Sequence, residues 1–537
     1  MVKKFIVFII ALLSAVQLSF AQKLPSQRPK LVVLILIDQL STNQIITFRN
    51  QFSDNGFNRL IYGGTFYRNA SYPAGSAYYG SNLTSLVTGT YPSTHGIVSD
   101  WWYDRVRNKE VHALYGDLIL NNDEYEKHPS ADRVLSSSFT DELKWTNNGR
   151  SKVSAIGRNE QHSIWCGGHT PDAIYKIDDN TGQFIAINHN DSTDSLPEWV
   201  NQFNKKDFLE TYSTRGWGPL NDLSQYYQMR FFSEQREAST DFMYSLVLQE
   251  GAGAYIPVIH SPYGNKIIRD FAMAKIIHEE YGKDDEPDVL TINFSTRPVH
   301  GGAHGAFNAE IEDMILRLDL EIADLLKTID KEVGLENTLI ALTSVSTPHR
   351  PIEENTRHGI PTGVFSGQKA SSLTNLFLMA KYGQGKWIMA YHDGHMYLNH
   401  ELINERGVDL EKIKEEAASF ISDMEGVAFA MPISEIKIAT SNLASVRNMQ
   451  YNYHPHRSGD IVVKISPGWT EEFGDGRKVN RNWNSTHLPL IFYGWKVNPK
   501  NVYQNVSMIH FAPTISSFLE IPFPNGCEGE PLHGITY

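Results

Sequence analysis

Cysteine is nearly absent: Cys166 and Cys527 are the only two in 537 residues. A disulfide framework is therefore excluded as the main source of stability, while a single pairing of these two stays open. An excess of basic charge is also missing, with 48 Lys and Arg against 61 Asp and Glu and a net charge of −13. That balance argues against non-specific binding to nucleic acid or to anionic membranes. Gly-Ser linkers, charge blocks and internal repeats do not occur, so the body of the chain reads as one unit. Beyond the N-terminus no apolar run approaches the ~20 residues needed to span a membrane.

What is present begins with a targeting pattern. Lys3 and Lys4 precede a mostly apolar run from Phe5 to Phe20, and Ser19-Phe20-Ala21 has the small-x-small form of a cleavage site. A secretory signal peptide over residues 1–21 is expected, cut after Ala21 and leaving residues 22–537 as the mature chain. An exported protein, most simply periplasmic, follows. An apolar content of 41% with 20% charged residues is that of an ordinary globular protein.

The run LVVLILI, Leu31 to Ile37, is rich in Val and Ile and suits a strand buried on both faces of a parallel sheet. Val289–Phe294, Thr338–Thr343, Ile461–Ile465 and Leu488–Tyr493 read as further strands. Between the second and third of these five, Ile311, Ile315, Leu318, Ile322, Leu325 and Ile329 recur at helical spacing, which predicts a helix packed on the sheet. Strands alternating with helices imply an α/β fold with a mostly parallel sheet covered on both faces. Ligands of such sheets sit beyond the carboxyl ends of the strands, which directs attention to Asp38.

The segment LVTGTYPSTHGI, Leu86 to Ile97, resembles the signature that follows the nucleophile in the alkaline phosphatase superfamily. The nearest resemblance is to phosphate-irrepressible alkaline phosphatases and type I phosphodiesterases/nucleotide pyrophosphatases. IDQL at Asp38, SKVSAIG at Ser151–Gly157, GHTPDAIYKIDDNTGQFI at Gly168–Ile185 and Asn293–Asp319 extend it. So do ALTSVSTPHRP, GIPTGVF at Gly359–Phe365, YLNHELI at Tyr397–Ile403, RSGD at Arg457–Asp460, STHLPLIFYG at Ser485–Gly494 and Phe511–Leu532. The resemblance implies the superfamily fold, a mostly parallel central sheet flanked by helices, with an inserted smaller subdomain or cap.

It also implies a chemistry: two zinc ions held by Asp and His activate a Thr or Ser that attacks phosphorus. The family's nucleophile stands ten residues before the Gly of the Thr-Gly pair, here Gly89, and so falls on Tyr79. Ser81 is the fallback hydroxyl, with Ser76 and Thr84 nearby, and all three also suit ordinary loop or helix positions. Of the family's metal ligands Asp38 is retained. The others fall on Pro298 and Gly302, on Val345 and Ser346, and on Lys478, while His487 matches a non-ligand position. The family's phosphate-contacting Asn falls on Asp100, and its Lys and Arg fall on Asn159 and Gln161, with Arg158 adjacent.

These replacements lead to the expectation of a catalytically inactive relative, a pseudoenzyme with a binding or scaffolding role and no cofactor. Asp38, Arg158 and Lys478 are its ligand-binding candidates, with Lys478 or Arg297 expected to neutralise Asp38. An unidentified protein or a small anion is the expected partner. The alternative is an active zinc-dependent phosphomonoesterase or phosphodiesterase with a rearranged site. Its histidines could come from His300 and His304, from His392 and His395, or from His454 and His456. A sulfatase is set aside, because nothing around Tyr79 offers the C/S-x-P-x-R context.

Overall fold

Side chains at every position from Leu31 to Ile37 are apolar, so whichever way they face they must find a core. In the computed structural model they form strand β1 (Leu31–Asp38), buried along its whole length. The structure describes residues 28–72, 78–115, 129–187, 196–227, 242–298, 308–348, 355–356, 358–440, 444–472, 478–480 and 487–536; for residues 444–445 and 478–480 this holds of the backbone alone. Leu31, Val33, Ile35 and Ile37 enter one core and Val32, Leu34 and Leu36 the other, as the alternation of a pleated strand requires.

Around β1 lie β2 (Thr65–Ser71), β3 (Val153–Gly157), β4 (Ala173–Ile177), β5 (Phe184–Ala186), β6 (Asp288–Ser295), β7 (Thr338–Thr343), β8 (Leu488–Gly494) and β9 (Lys500–Ser507). They make a nine-stranded sheet in the order β9-β2-β8-β7-β1-β6-β3-β4-β5. The central run β7-β1-β6-β3-β4 is parallel throughout. Strand β8 runs antiparallel between β7 and β2, and β5 runs antiparallel at the edge.

Two expectations are corrected. Leu488–Tyr493 joins the central sheet but runs against it. Ile461–Ile465 lies in a separate four-stranded antiparallel sheet with Ile388–His392, His395–Leu398 and Val427–Pro432. A short apolar run buries equally well in either setting, so periodicity cannot distinguish them.

Helix α1 (Tyr79–Thr88) and helix α2 (Glu160–Gly167) cover one face of the sheet. Helix α3 (Ala309–Glu332) covers the other with the predicted isoleucine and leucine stripe, and Asn308 caps it by accepting from the Ile311 N–H at 2.8 Å. The Thr-Gly of the signature is a helix stop. Gly89 takes a left-handed conformation, φ 69°, and its N–H closes α1 on Ser85. A side chain there would also meet Cys527 Sγ at 2.7 Å. Both demands admit only glycine. The two cysteines are free.

The expected smaller subdomain is present, with an apolar cluster of its own that includes Phe365, Leu378, Trp387, Met396, Ile413 and Val463. Among the described residues no helix is long and apolar enough to cross a membrane. Residues 1–21, the proposed signal peptide, lie outside the described residues.

Candidate active site

Parallel pairing brings the carboxyl ends of β7, β1, β6 and β3 to one edge, and the chemically interesting residues emerge there. Asp38 ends β1 opposite Ser295 of β6, and Leu36 pairs with both Asn293 and Thr343. The connections are tied together locally. Ser346 donates to the Asp38 carboxylate at 2.7 Å, and Thr296 donates to the carbonyls of Asp38 and Gln39 at 3.1 and 2.9 Å. Ser344 accepts from the Leu40 N–H and donates to the Ser346 carbonyl. Val345 is fully buried in the apolar core.

Arg158 follows β3 directly and is 3% exposed. Its Nη1 donates to the carbonyl of Arg297 at 3.2 Å, and its Nη2 lies 3.5 Å from that of Ser295. Its Nε has no hydrogen-bond partner among the described residues. Burial pushes the guanidinium down to about 10, with Asp38 opposing that shift and Arg297 adding to it. Arg158 therefore stays charged at neutral pH, and it is a cation whose charge Asp38 feels. The Lys478 side chain lies outside the described residues; its backbone pairs with Glu472 in a short strand.

The positions after Arg158 are used to start α2. Asn159 is the N-cap, its side chain accepting from the His162 N–H at 3.1 Å. His162 is held down at about 4, and the neighbouring His260 at about 3, chiefly by burial; among the charges, Asp38 is the largest influence on His162 and opposes the shift, while Arg158 is the largest on His260 and adds to it. Both imidazoles are neutral at pH 7, a pair that sequence reading missed. The signal available was proximity in sequence to Arg158, for His162 alone.

Tyr79 opens α1 and stacks on His162, with ring centroids 4.6 Å apart. Its hydroxyl finds no partner among the described residues. Burial, with Asp38, Cys166 and Tyr72 adding to it, drives its phenol well above 10. Burial therefore disfavours the phenolate that would stand in for the family's alkoxide. Ser81 is the third residue of α1 and is fully buried, its hydroxyl without a partner among the described residues. Thr84 spends its hydroxyl on the Gly80 carbonyl. Ser76 lies outside the described residues.

One serine–histidine pair does form, Ser85 with His95 at 2.9 Å. His95 Nδ1 accepts from the Ile97 N–H, so Nε2 carries the ring proton and donates to Ser85. His95 is held down at about 3, first by burial and then by Arg457. It cannot take a proton from Ser85, so the pair is structural.

Asp100 stands at the start of a β-hairpin (Trp101–Asp104 with Lys109–His112) against the cap. The Asp393 carboxylate accepts from the backbone N–H groups of Asp100 and Trp101, and Asp100 and Glu471 raise it further after burial. The other histidine pairs have local duties. His395 Nδ1 accepts from the Gly459 N–H, His454 Nδ1 from the His456 N–H, and His392 stacks on Trp101 beside Glu110. His300 and His304 lie outside the described residues.

Comparison with known proteins agrees with this fold. The family model described as type I phosphodiesterase/nucleotide pyrophosphatase matches residues 32–487. The chain is 28% identical over 517 residues to alkaline phosphatase PafA of Elizabethkingia meningoseptica, covering 94% of each. It is also 28% identical to alkaline phosphatase PhoV of Synechococcus elongatus, over 94% of this chain and 92% of that one. The crystal structure of PafA superposes with a TM-score of 0.82, covering 95% of this chain and 99% of that one. A murine ectonucleotide pyrophosphatase/phosphodiesterase, 11% identical with a TM-score of 0.52, shares the fold.

These relatives correct the expectation of a chain without a cofactor. A near full-length likeness to alkaline phosphatases points to a metal, zinc in the family, rather than to none. The positions that the sequence resemblance assigns to the family's ligands do not supply the complete set among the described residues, however. Asp38 is a good ligand, but Pro298 and Val345 offer no donor, and Ser346 gives its hydroxyl to Asp38. Gly302 and the Lys478 side chain lie outside the described residues. Among the described residues no three His, Cys, Asp or Glu side chains group as a metal site. Asp38 is the residue that would hold a metal, and its other ligands would have to come from outside the family positions described here.

Proposed function

Because the chain belongs to the type I phosphodiesterase/nucleotide pyrophosphatase family, within the alkaline phosphatase superfamily, we propose that the pocket at Asp38 receives a phosphoric ester against Arg158. The observation that carries this reading is Arg158 itself: a guanidinium buried at the carboxyl ends of parallel strands, anchored by backbone carbonyls, with its Nε left over. Arginine's planar donors suit a phosphoryl group, and buried charged donors act strongly in a low-dielectric site.

Whether the ester is turned over separates two readings. Tyr79 at the nucleophile position, with its phenol held protonated, supports a binding or scaffolding role in which the family's attack by an alkoxide does not take place. The likeness to PafA and PhoV over nearly the whole chain favours the other reading, a metal-dependent phosphomonoesterase or phosphodiesterase with a rearranged site that keeps Asp38. Of the two, the comparisons weigh towards hydrolysis, while the residues at Tyr79, Pro298 and Val345 weigh against the family's route to it. Export after cleavage at Ala21, with residues 22–537 as one alkaline phosphatase-like domain, belongs to the same proposal, and N-terminal sequencing of the secreted protein tests it.

The deciding experiment is metal analysis of the purified mature chain together with hydrolysis of an aryl phosphate and an aryl phosphodiester. Metal-dependent turnover that is lost in Asp38→Asn and kept in Tyr79→Phe establishes the rearranged hydrolase and removes the scaffolding role. Phosphate binding that Arg158→Met abolishes, without turnover in the metal-loaded protein, establishes the binding role.

A further inference from the structure

The least satisfied side chain beside Asp38 is Asn293. It is 0% exposed on β6, and neither its amide nitrogen nor its amide oxygen has a hydrogen-bond partner among the described residues. A buried carboxamide left unpaired is costly, and such a group in a native structure calls for an explanation, of which a ligand is one.

Its surroundings place it near Asp38 and Arg158. Asn293 pairs with Leu36, two residues before Asp38. A side chain on Gly157, just before Arg158, would meet Asn293 Cβ at 3.3 Å and His162 Cβ at 3.1 Å, so the three elements β6, β3 and α2 close on one spot. His162 Nδ1 is likewise without a partner among the described residues, as are the hydroxyl of Tyr79, stacked on His162, and Arg158 Nε.

The donor and acceptor types narrow the ligand. An ionised phosphoryl group only accepts hydrogen bonds. It could satisfy Arg158 Nε and the Asn293 amide nitrogen, but it would leave the Asn293 oxygen unpaired. Pairing that oxygen takes a ligand group that donates, and pairing both ends takes one that donates and accepts. A hydroxyl does both.

On the reading that the pocket receives a phosphoric ester, we propose that Asn293 and His162 form a subsite for a hydroxyl close to the phosphorus, which selects hydroxylated alkyl phosphates over plain ones. A site built to hydrogen-bond a ligand hydroxyl rejects the analogue lacking it far more strongly than an apolar pocket rejects a missing methylene.

The test uses two non-hydrolysable probes that differ by one hydroxyl, ethylphosphonate and 2-hydroxyethylphosphonate. Titration calorimetry of the metal-loaded mature chain should show the hydroxylated probe binding ~10-fold or more tightly. Asn293→Leu should reduce that preference to within about twofold. Should that variant fail to fold, His162→Phe keeps the stack on Tyr79 and removes Nδ1, and it should also narrow the preference. Equal affinities in the wild-type chain, or a preference that survives these substitutions, overturn the subsite alone. If neither probe nor inorganic phosphate binds the wild-type chain, the phosphoric ester reading itself falls, and the subsite with it.

Discussion

Two buried acidic regions of this molecule handle their charge in opposite ways. At the carboxyl ends of the central strands, Asp38 has a serine hydroxyl on its carboxylate and the positive charge of Arg158 close by. Where the cap meets the Trp101 hairpin, Asp393 is raised well above 3.8 by burial and by Asp100 and Glu471, although two backbone N–H groups oppose the rise. Glu471 is pushed up to about 8 by burial, with Tyr391 hydrogen-bonded to it. The first region sets a cation beside its carboxylate; the second holds protons. Charge that is answered by a cation can be offered to an anionic ligand and its counter-ion. Charge removed by protonation serves packing, and it makes the cap junction sensitive to alkali.

Removing the cation should break this contrast most strongly. Arg158→Met leaves Asp38 without its buried positive neighbour, and the loss is on the order of 3 kcal/mol of stability by urea denaturation. Phosphate binding should vanish in the same variant. An unchanged stability would show that Asp38 is balanced by another group.

Glu471→Gln sharpens the second half of the comparison. The native chain holds the Glu471 proton up to about pH 8, whereas the unfolded chain releases it near 4.5. The stabilising contribution is therefore complete below that lower value and is lost as pH rises towards 8, by at most about 1.4 kcal/mol per pH unit. The Gln variant should lack that slope, so its melting temperature should exceed that of the wild type at pH 8 and match it near pH 4. Parallel curves at all pH values would place Glu471 outside the proton-holding group.

The smallest effect is expected at Tyr79→Phe. Deleting a buried hydroxyl with no partner among the described residues should leave stability within about 1 kcal/mol or raise it slightly. A loss of several times that size would mean that the Tyr79 hydroxyl has a structural partner after all.

Much of the fold was legible because it rests on long-range-independent signals. The seven apolar residues before Asp38 and the isoleucine stripe of α3 each carry their structure in local composition. The orientation of Leu488–Tyr493 and the separate sheet of Ile461–Ile465 were not legible, since pairing partners leave no mark on a short apolar run. The site divides in the same way. Asp38 and Arg158 could be named from position in the chain. The Lys478 expectation could not be followed to its side chain. His260 and Asn293 drew no attention, because nothing in their local sequence distinguishes a pocket residue from a core one.

By itself, then, the sequence determined the superfamily scaffold, and it carries Asp38, Tyr79, Pro298 and Val345 at the positions that the resemblance compares with the family's site. These are properties of residue type at a position. Only the tertiary structure decided that Arg158 lies near Asp38, that His95 is the wrong tautomer to activate Ser85, and that the Asn293 amide is buried without a partner among the described residues. Those facts depend on desolvation and on which groups three or more strands bring together, and neither is encoded in any one stretch of chain.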